Sequence, residues 1–225
     1  MTQETVPARG GSQAVRAARR DDAAQLGEVL ADAFTEDPVF AWLIPAQTRG
    51  RDNRLRTFFT SMSRAYLRSG KPCYLADDAS AAALWAEPGA WAMPLSQMIL
   101  EAAPNGLAFG HRLLRALRTQ LQIERLHAAH SRPHWYLGYL GTRHDRQGQG
   151  LGTQMLREVL VGRDTDGVPA YLESSNERNL PLYERNGFRV VGELRALGHG
   201  PTIWRMWREP QPGRDATGGS AADGT

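Results

Sequence analysis

The chain holds a single cysteine, Cys73, in 225 residues. One thiol excludes an internal disulfide and suits a reducing compartment. No apolar run approaches the roughly 20 residues that a membrane-spanning helix needs. The opening residues, MTQETVPARGGSQ, lack the apolar centre of a secretion signal, so a cytoplasmic location and no membrane partner are expected. Charge of one sign is also scarce. The formal net charge is only +3 despite many arginines, too little to require nucleic acid, and none is expected as a partner. No internal repeat is found.

What is present is enough apolar material, 41% of the residues, for a real core. The length suits one domain with tails. Residues 1–12 and 209–225 are rich in polar residues and glycine and are expected to be disordered. Between them, 13–208 read as one domain. Ala14 to Ala18 reads as a short first strand, and Leu26, Val29, Leu30, Ala33 and Phe34 fall at helical spacing after Asp21 or Asp22. Thr35 to Pro38 reads as a stop, followed by a short apolar segment, Val39 to Ile44. Arg51 to Arg68 forms a helix with Leu55, Phe58, Phe59, Met62 and Tyr66 as its buried stripe. Cys73 to Ala76 and Ala81 to Ala86 read as strands, with Cys73 a small buried hydrophobe.

Residues 88–132 are a variable helical segment. Prolines 88, 94 and 104 break its first part, and a longer helix, about His111 to Ala129, follows. Leu114, Leu117 and Leu121 are expected to face the core, with Arg112, Arg115, Arg118 and Arg125 in water. His127, His130 and His134 have no carboxylate or cysteine to complete a ligand set, so no metal is expected.

The stretch on which the chain turns is His134 to Gly152, HWYLGYLGTRHDRQGQGLG. Trp135, Tyr136, Leu137, Tyr139 and Leu140 are strand formers. Thr142 to Arg146 leaves the sheet. Gln147, Gly148, Gln149, Gly150, Leu151 and Gly152 then place three glycines at alternate positions. Met155, Leu156, Val159 and Leu160 continue as a helix. A glycine turn at a helix N-terminus offers free N–H groups to a phosphate. The spacing is neither a dinucleotide fingerprint nor a Walker loop. A tight strand-to-helix turn without a ligand is the plain alternative. Farther on, Gly162 to Gly167 reads as a loop. Val168 to Ser174 reads as a strand with Ala170 and Leu172 on one face, Tyr171 and Glu173 on the other. A helix from about Asn179 to Arg185 and two closing strands, Phe188 to Leu194 and Thr202 to Trp207, complete the chain.

Two motifs in order carry a resemblance. The pattern Gln-x-x-Gly-x-Gly, here Gln147, Gly150 and Gly152, follows a hydrophobic strand. Asn179, Tyr183, Gly187 and Phe188 follow later. Together they resemble the GNAT superfamily of N-acetyltransferases. From Trp135 to Arg208 the likeness is to its puromycin N-acetyltransferase-like members, most clearly in Arg-Asn-Leu-Pro-x-Tyr-Glu-Arg-x-Gly-Phe.

The resemblance implies a mixed α+β fold, with a mostly antiparallel sheet of six or seven strands splayed at its middle and flanked by helices. It implies acetyl-CoA as co-substrate. The amides of Gln147, Gly148, Gln149, Gly150, Leu151, Gly152 and Thr153 would hold its pyrophosphate. Backbone groups of Leu140, Gly141 and Thr142, with the Asn179 side chain, would meet the pantetheine arm. Tyr183 would be the general acid for the departing thiolate, and Glu173 the general base for the amine. Core packing for Tyr183, helix capping for Asn179 and an arginine ion pair for Glu173 are the alternatives. The expected acceptor is a small-molecule amine, and the expected assembly a monomer or homodimer. Two other functions fit the same residues: a non-catalytic acyl-CoA-binding protein, and an acetyltransferase for a protein N-terminus or lysine.

Overall fold

A computed structural model describes residues 14–92, 95–128 and 130–211. The expected disordered segments, 1–12 and all but the start of 209–225, lie outside them. Seven strands form one sheet: β1 (Val15–Ala17), β2 (Cys73–Ala76), β3 (Ala81–Ala86), β4 (Trp135–Thr142), β5 (Ala170–Ser174), β6 (Arg189–Arg195) and β7 (Thr202–Arg208). Their spatial order is β1-β2-β3-β4-β5-β7-β6. Every neighbouring pair is antiparallel except β4 and β5.

The period of two along the strands sorts side chains between two cores. On β3, Ala82 and Leu84 join one cluster with Leu26, Leu30 and Phe59. Its helices include α1 (Ala23–Ala33), α2 (Pro38–Leu43) and α3 (Arg51–Arg68). Ala81, Ala83 and Trp85 join the other cluster, with Met155, Leu156 and Val159 of α6 (Leu151–Thr165) and Tyr183 of α7 (Leu180–Arg185). Ala170 and Leu172 of β5 pack in this second core as well, so Tyr171 and Glu173 fall on the opposite face.

The splay begins at the parallel pair. β4 and β5 share only three rungs, Trp135 with Ala170, Tyr136 with Tyr171 and Leu137 with Leu172. β4 then runs on to Thr142 and β5 to Ser174 unpaired with each other. A bulge in β4 accompanies the divergence. Trp85 pairs with Leu137 and Leu84 with Tyr139, leaving Gly138 unopposed. A Cβ at Gly138 would collide with the Tyr66 hydroxyl, so only glycine lets that phenol approach the bulge.

Several elements differ from the sequence reading. Asp37 and Pro38 open α2 and do not merely stop α1. The Asp37 carboxylate accepts from the amides of Val39 at 2.9 Å and Phe40 at 3.0 Å, and proline fits the first turn. Pro104 lies inside α4 (Leu95–Phe109) where a break was expected. α6 runs past Gly162 to Thr165. Its last turn is held by tertiary contacts, Arg163 over the Trp135 ring and Asp164 on Arg208 at 2.6 Å. α5 (Leu113–Ala128) is rotated from the expected face. Leu114, Leu117 and Leu121 are exposed, while Ala116, Thr119 and His127 are buried. Arg112 donates to the Trp42 carbonyl, and Arg115 lies over the Trp42 ring at 4.8 Å. Glu209, at the start of the expected tail, pairs with Arg132 at 2.7 Å.

Candidate active site

The wedge between β4 and β5 opens on a cavity of about 470 Å³. α2 and α3 wall one side with Phe40, Phe58 and Met62, and α5 supplies Ile123 and His127. Most of this lining is apolar or aromatic. Three carboxylates reach it, Glu173, Asp37 and Glu124, with Lys71, Ser175, Asn179 and Tyr183.

Glu173 stands one residue from the C-terminal end of β5, paired across the sheet with Arg205 of β7. Arg205 makes no ion pair with it among the described residues, and both Glu173 oxygens are buried without a hydrogen-bond partner. Burial raises its pKa from 4.5 to about 7. The Tyr136 and Tyr171 hydroxyls, close by but outside hydrogen-bond geometry, and the Arg205 guanidinium oppose that rise without reversing it. A carboxylate with free lone pairs and a pKa near neutrality is suited to taking a proton.

Tyr183 is buried on α7, its ring edge-on to Phe188 at 6.0 Å. Burial, and then the charge of Asp37, push its pKa well up, which keeps the phenol protonated through the neutral range. The helix turn that carries it begins with Asn179, which lines the cavity and makes no side-chain cap bond at the start of α7. Asn176 does cap the short 3-10 turn Glu177–Asn179, accepting from the Arg178 amide at 3.1 Å.

The glycine turn has the geometry its sequence predicts. Gly148 and Gly150 adopt φ of 76° and 83°, a region that favours glycine. α6 starts at Leu151. Among the described residues, the amides of Gly148, Gln149, Gly150, Leu151, Gly152 and Thr153 meet no protein acceptor, whereas the Gln147 amide reaches the His144 carbonyl at 3.4 Å. Six free donors at the head of a 15-residue helix form an anion cradle.

The Arg143 amide donates to the Ser80 carbonyl beside β3 at 2.9 Å. Backbone groups alternate sides along a strand, so Gly141 faces β3 too, while Leu140 and Thr142 face the opening. The three residues named from sequence are therefore divided. The Gln147 side chain donates to the Thr142 carbonyl at 3.2 Å and ties the turn to the strand.

Sequence reasoning missed Asp37 and His127. Asp37 is buried, accepts from the Ser175 hydroxyl, and has its pKa raised by burial. Its capping role was legible in Asp-Pro; its place in the cavity depends on Ser175, 138 positions away. His127 was weighed only as a metal ligand, and its actual partner is another histidine.

Fold and site are similar to those of acetyltransferases of the GNAT type. Residues 120–190 match the family described as acetyltransferase (GNAT) domain. An uncharacterized N-acetyltransferase of Schizosaccharomyces pombe is 29% identical over 170 residues, 71% of this chain and 67% of that protein. A Corynebacterium glutamicum structure described as histone acetyltransferase HPA2 and related acetyltransferase is similar at a TM-score of 0.62 and 25% identity, over 89% of this chain and 98% of that one. The Drosophila melanogaster polyamine N-acetyltransferase shares the fold at a TM-score of 0.61 and 17% identity, over 88% and 100% of the two chains. The seven-stranded splayed sheet is thus the GNAT fold. Among the described residues no helix is long and apolar enough to cross a membrane.

Proposed function

We propose that the protein moves the acetyl group of acetyl-CoA to a primary amine of a small molecule by direct transfer. The observation that carries this is the wedge itself, with free amides at the α6 end and an unpartnered buried carboxylate beside the cavity. The amides of Gly148 to Thr153 grip the diphosphate. Leu140 and Thr142 offer backbone groups to the pantetheine arm, and Asn179 a side chain.

Glu173 takes the proton of the acceptor ammonium. The neutral nitrogen attacks the thioester carbonyl, the new C–N bond forms and the C–S bond breaks. Tyr183 gives its proton to the departing sulfur and recovers one from the product ammonium through solvent. A protein that only held acyl-CoA would need neither group. A largely apolar cavity of about 470 Å³ favours a small acceptor over a protein N-terminus or lysine. The likeness to puromycin N-acetyltransferase over residues 135–208 supports the same choice, and the lone thiol supports action in the cytoplasm.

Thiol release from acetyl-CoA, measured against puromycin, polyamines, aminoglycosides and short peptides, tests the reading. We expect Glu173→Gln to lower kcat by about a hundredfold above neutral pH, where the wild-type carboxylate is ionised, and by less as the pH falls below about 7. Tyr183→Phe should lower kcat with little change in acetyl-CoA affinity. Near-normal turnover in both variants rules out the acid and base roles.

A further inference from the structure

Three neighbouring histidines, His127, His130 and His134, have no part in that chemistry, and His127 lines the α5 end of the cavity. His134 Nδ1 lies 2.7 Å from the Arg132 carbonyl oxygen. A carbonyl only accepts, so Nδ1 carries the proton. His134 Nε2 lies 2.8 Å from His127 Nε2, and two ring nitrogens at that distance share one proton. Burial lowers the pKa of both rings, that of His127 to about 3, so both are neutral. With its proton on Nδ1, His134 has a bare Nε2, and His127 must donate to it. His127 Nδ1 is then bare in turn. The Arg132 carbonyl fixes this polarity, because it has no proton to pass back.

His127 lines the cavity; His134 does not. The ring is clamped, with Trp91 stacked on it at 4.2 Å and Tyr136 edge-on at 4.5 Å. Its Nδ1 has no partner among the described residues. A locked lone pair in an apolar chamber discriminates between ligands, because a buried acceptor left unpaired carries a large desolvation penalty. Beside it stand Trp91, Tyr136 and Ile123, with Phe40, Phe58 and Met62 toward α2 and α3.

We propose that His127 is the acceptor-specificity residue: its Nδ1 receives a hydroxyl or N–H donor carried on the aromatic body of the acceptor amine, remote from the nitrogen that is acetylated. This rests on the acetyltransferase reading and adds the acceptor class to it. His134 is a positioning residue that acts through His127.

The test compares tyramine with phenethylamine, which differ by one hydroxyl, as acceptors for the full chain with acetyl-CoA. The expected result is a kcat/KM for tyramine about tenfold or more above that for phenethylamine. His127→Phe should erase the difference by lowering tyramine alone. His127→Gln, which keeps an acceptor oxygen, should restore part of it, and decides the matter if the phenylalanine variant fails to fold. Equal use of the two amines by the wild type overturns the proposal. So does an equal loss on both in His127→Phe, or faster turnover of putrescine than of tyramine. Transfer to other amines with neither aromatic accepted overturns it too, while leaving the acetyltransferase reading intact. Absence of both coenzyme A binding and thiol release with every amine removes that reading, and this inference with it.

Discussion

Glu173 stands where burial and chemistry oppose each other. Its carboxylate ionises at 4.5 in water and at about 7 in the fold, so the folded protein holds on to a proton that the unfolded chain releases. Its contribution to stability is therefore fully present below pH 4.5 and lost as the pH rises through about 7. The full effect corresponds to about 3 kcal/mol, as an order of magnitude. Glu173→Gln, which cannot ionise, should match the wild type in denaturant unfolding near pH 4 and exceed it at pH 8. Equal stability at both pH values would show that the carboxylate is not held against its own ionisation. The same group predicts that kcat/KM falls about tenfold per pH unit below about 7, because the protonated carboxyl is no base.

Among the elements, the glycine turn and α5 make contrasting cases. The turn was legible because it needs backbone freedom, and glycine is the residue that signals it. A side chain at Gly150, with φ of 83° and open space around it, is strained without any clash. Gly150→Ala should cost about 1 kcal/mol of stability and weaken coenzyme A binding about tenfold by calorimetry. The strands β2 and β3 and the helix α3 were equally legible, since their apolar periods meet an apolar core. α5 was not. Its leucine stripe predicted a buried face, but the helix buries Ala116, Thr119 and His127 toward the cavity and leaves Leu114, Leu117 and Leu121 largely exposed. Replacing Leu114, Leu117 and Leu121 singly by Gln should shift stability by no more than about 0.5 kcal/mol each. Losses of 2 kcal/mol or more would mean that the expected face is the right one. Gly141 shows the same limit at the backbone. Its neighbours were read correctly as strand, but which side of the strand its amide faces depends on the bulge at Gly138. Against that bulge lies the hydroxyl of Tyr66, a residue on another element.

At the scale of the whole molecule, two cores lie on opposite faces of a sheet whose halves meet over three rungs. The amides of Leu140 and Thr142 face the gap, away from β3, while those of Gly141 and Arg143 face β3. Hydrogen exchange should find the first two amides fast and the second two slow, and saturating coenzyme A should protect the fast pair. Uniform protection in the free protein would contradict the alternation. At a ligand concentration a hundred times its Kd, the gain in unfolding free energy should be about 2.7 kcal/mol. Because so short a seam joins the half-sheets, the reactant that fills the gap also acts as a strut between them, and each turnover briefly removes that strut. Starved of thioester, the protein should be most easily cut by proteases along this seam, so the supply of its own reactant would set how long it survives.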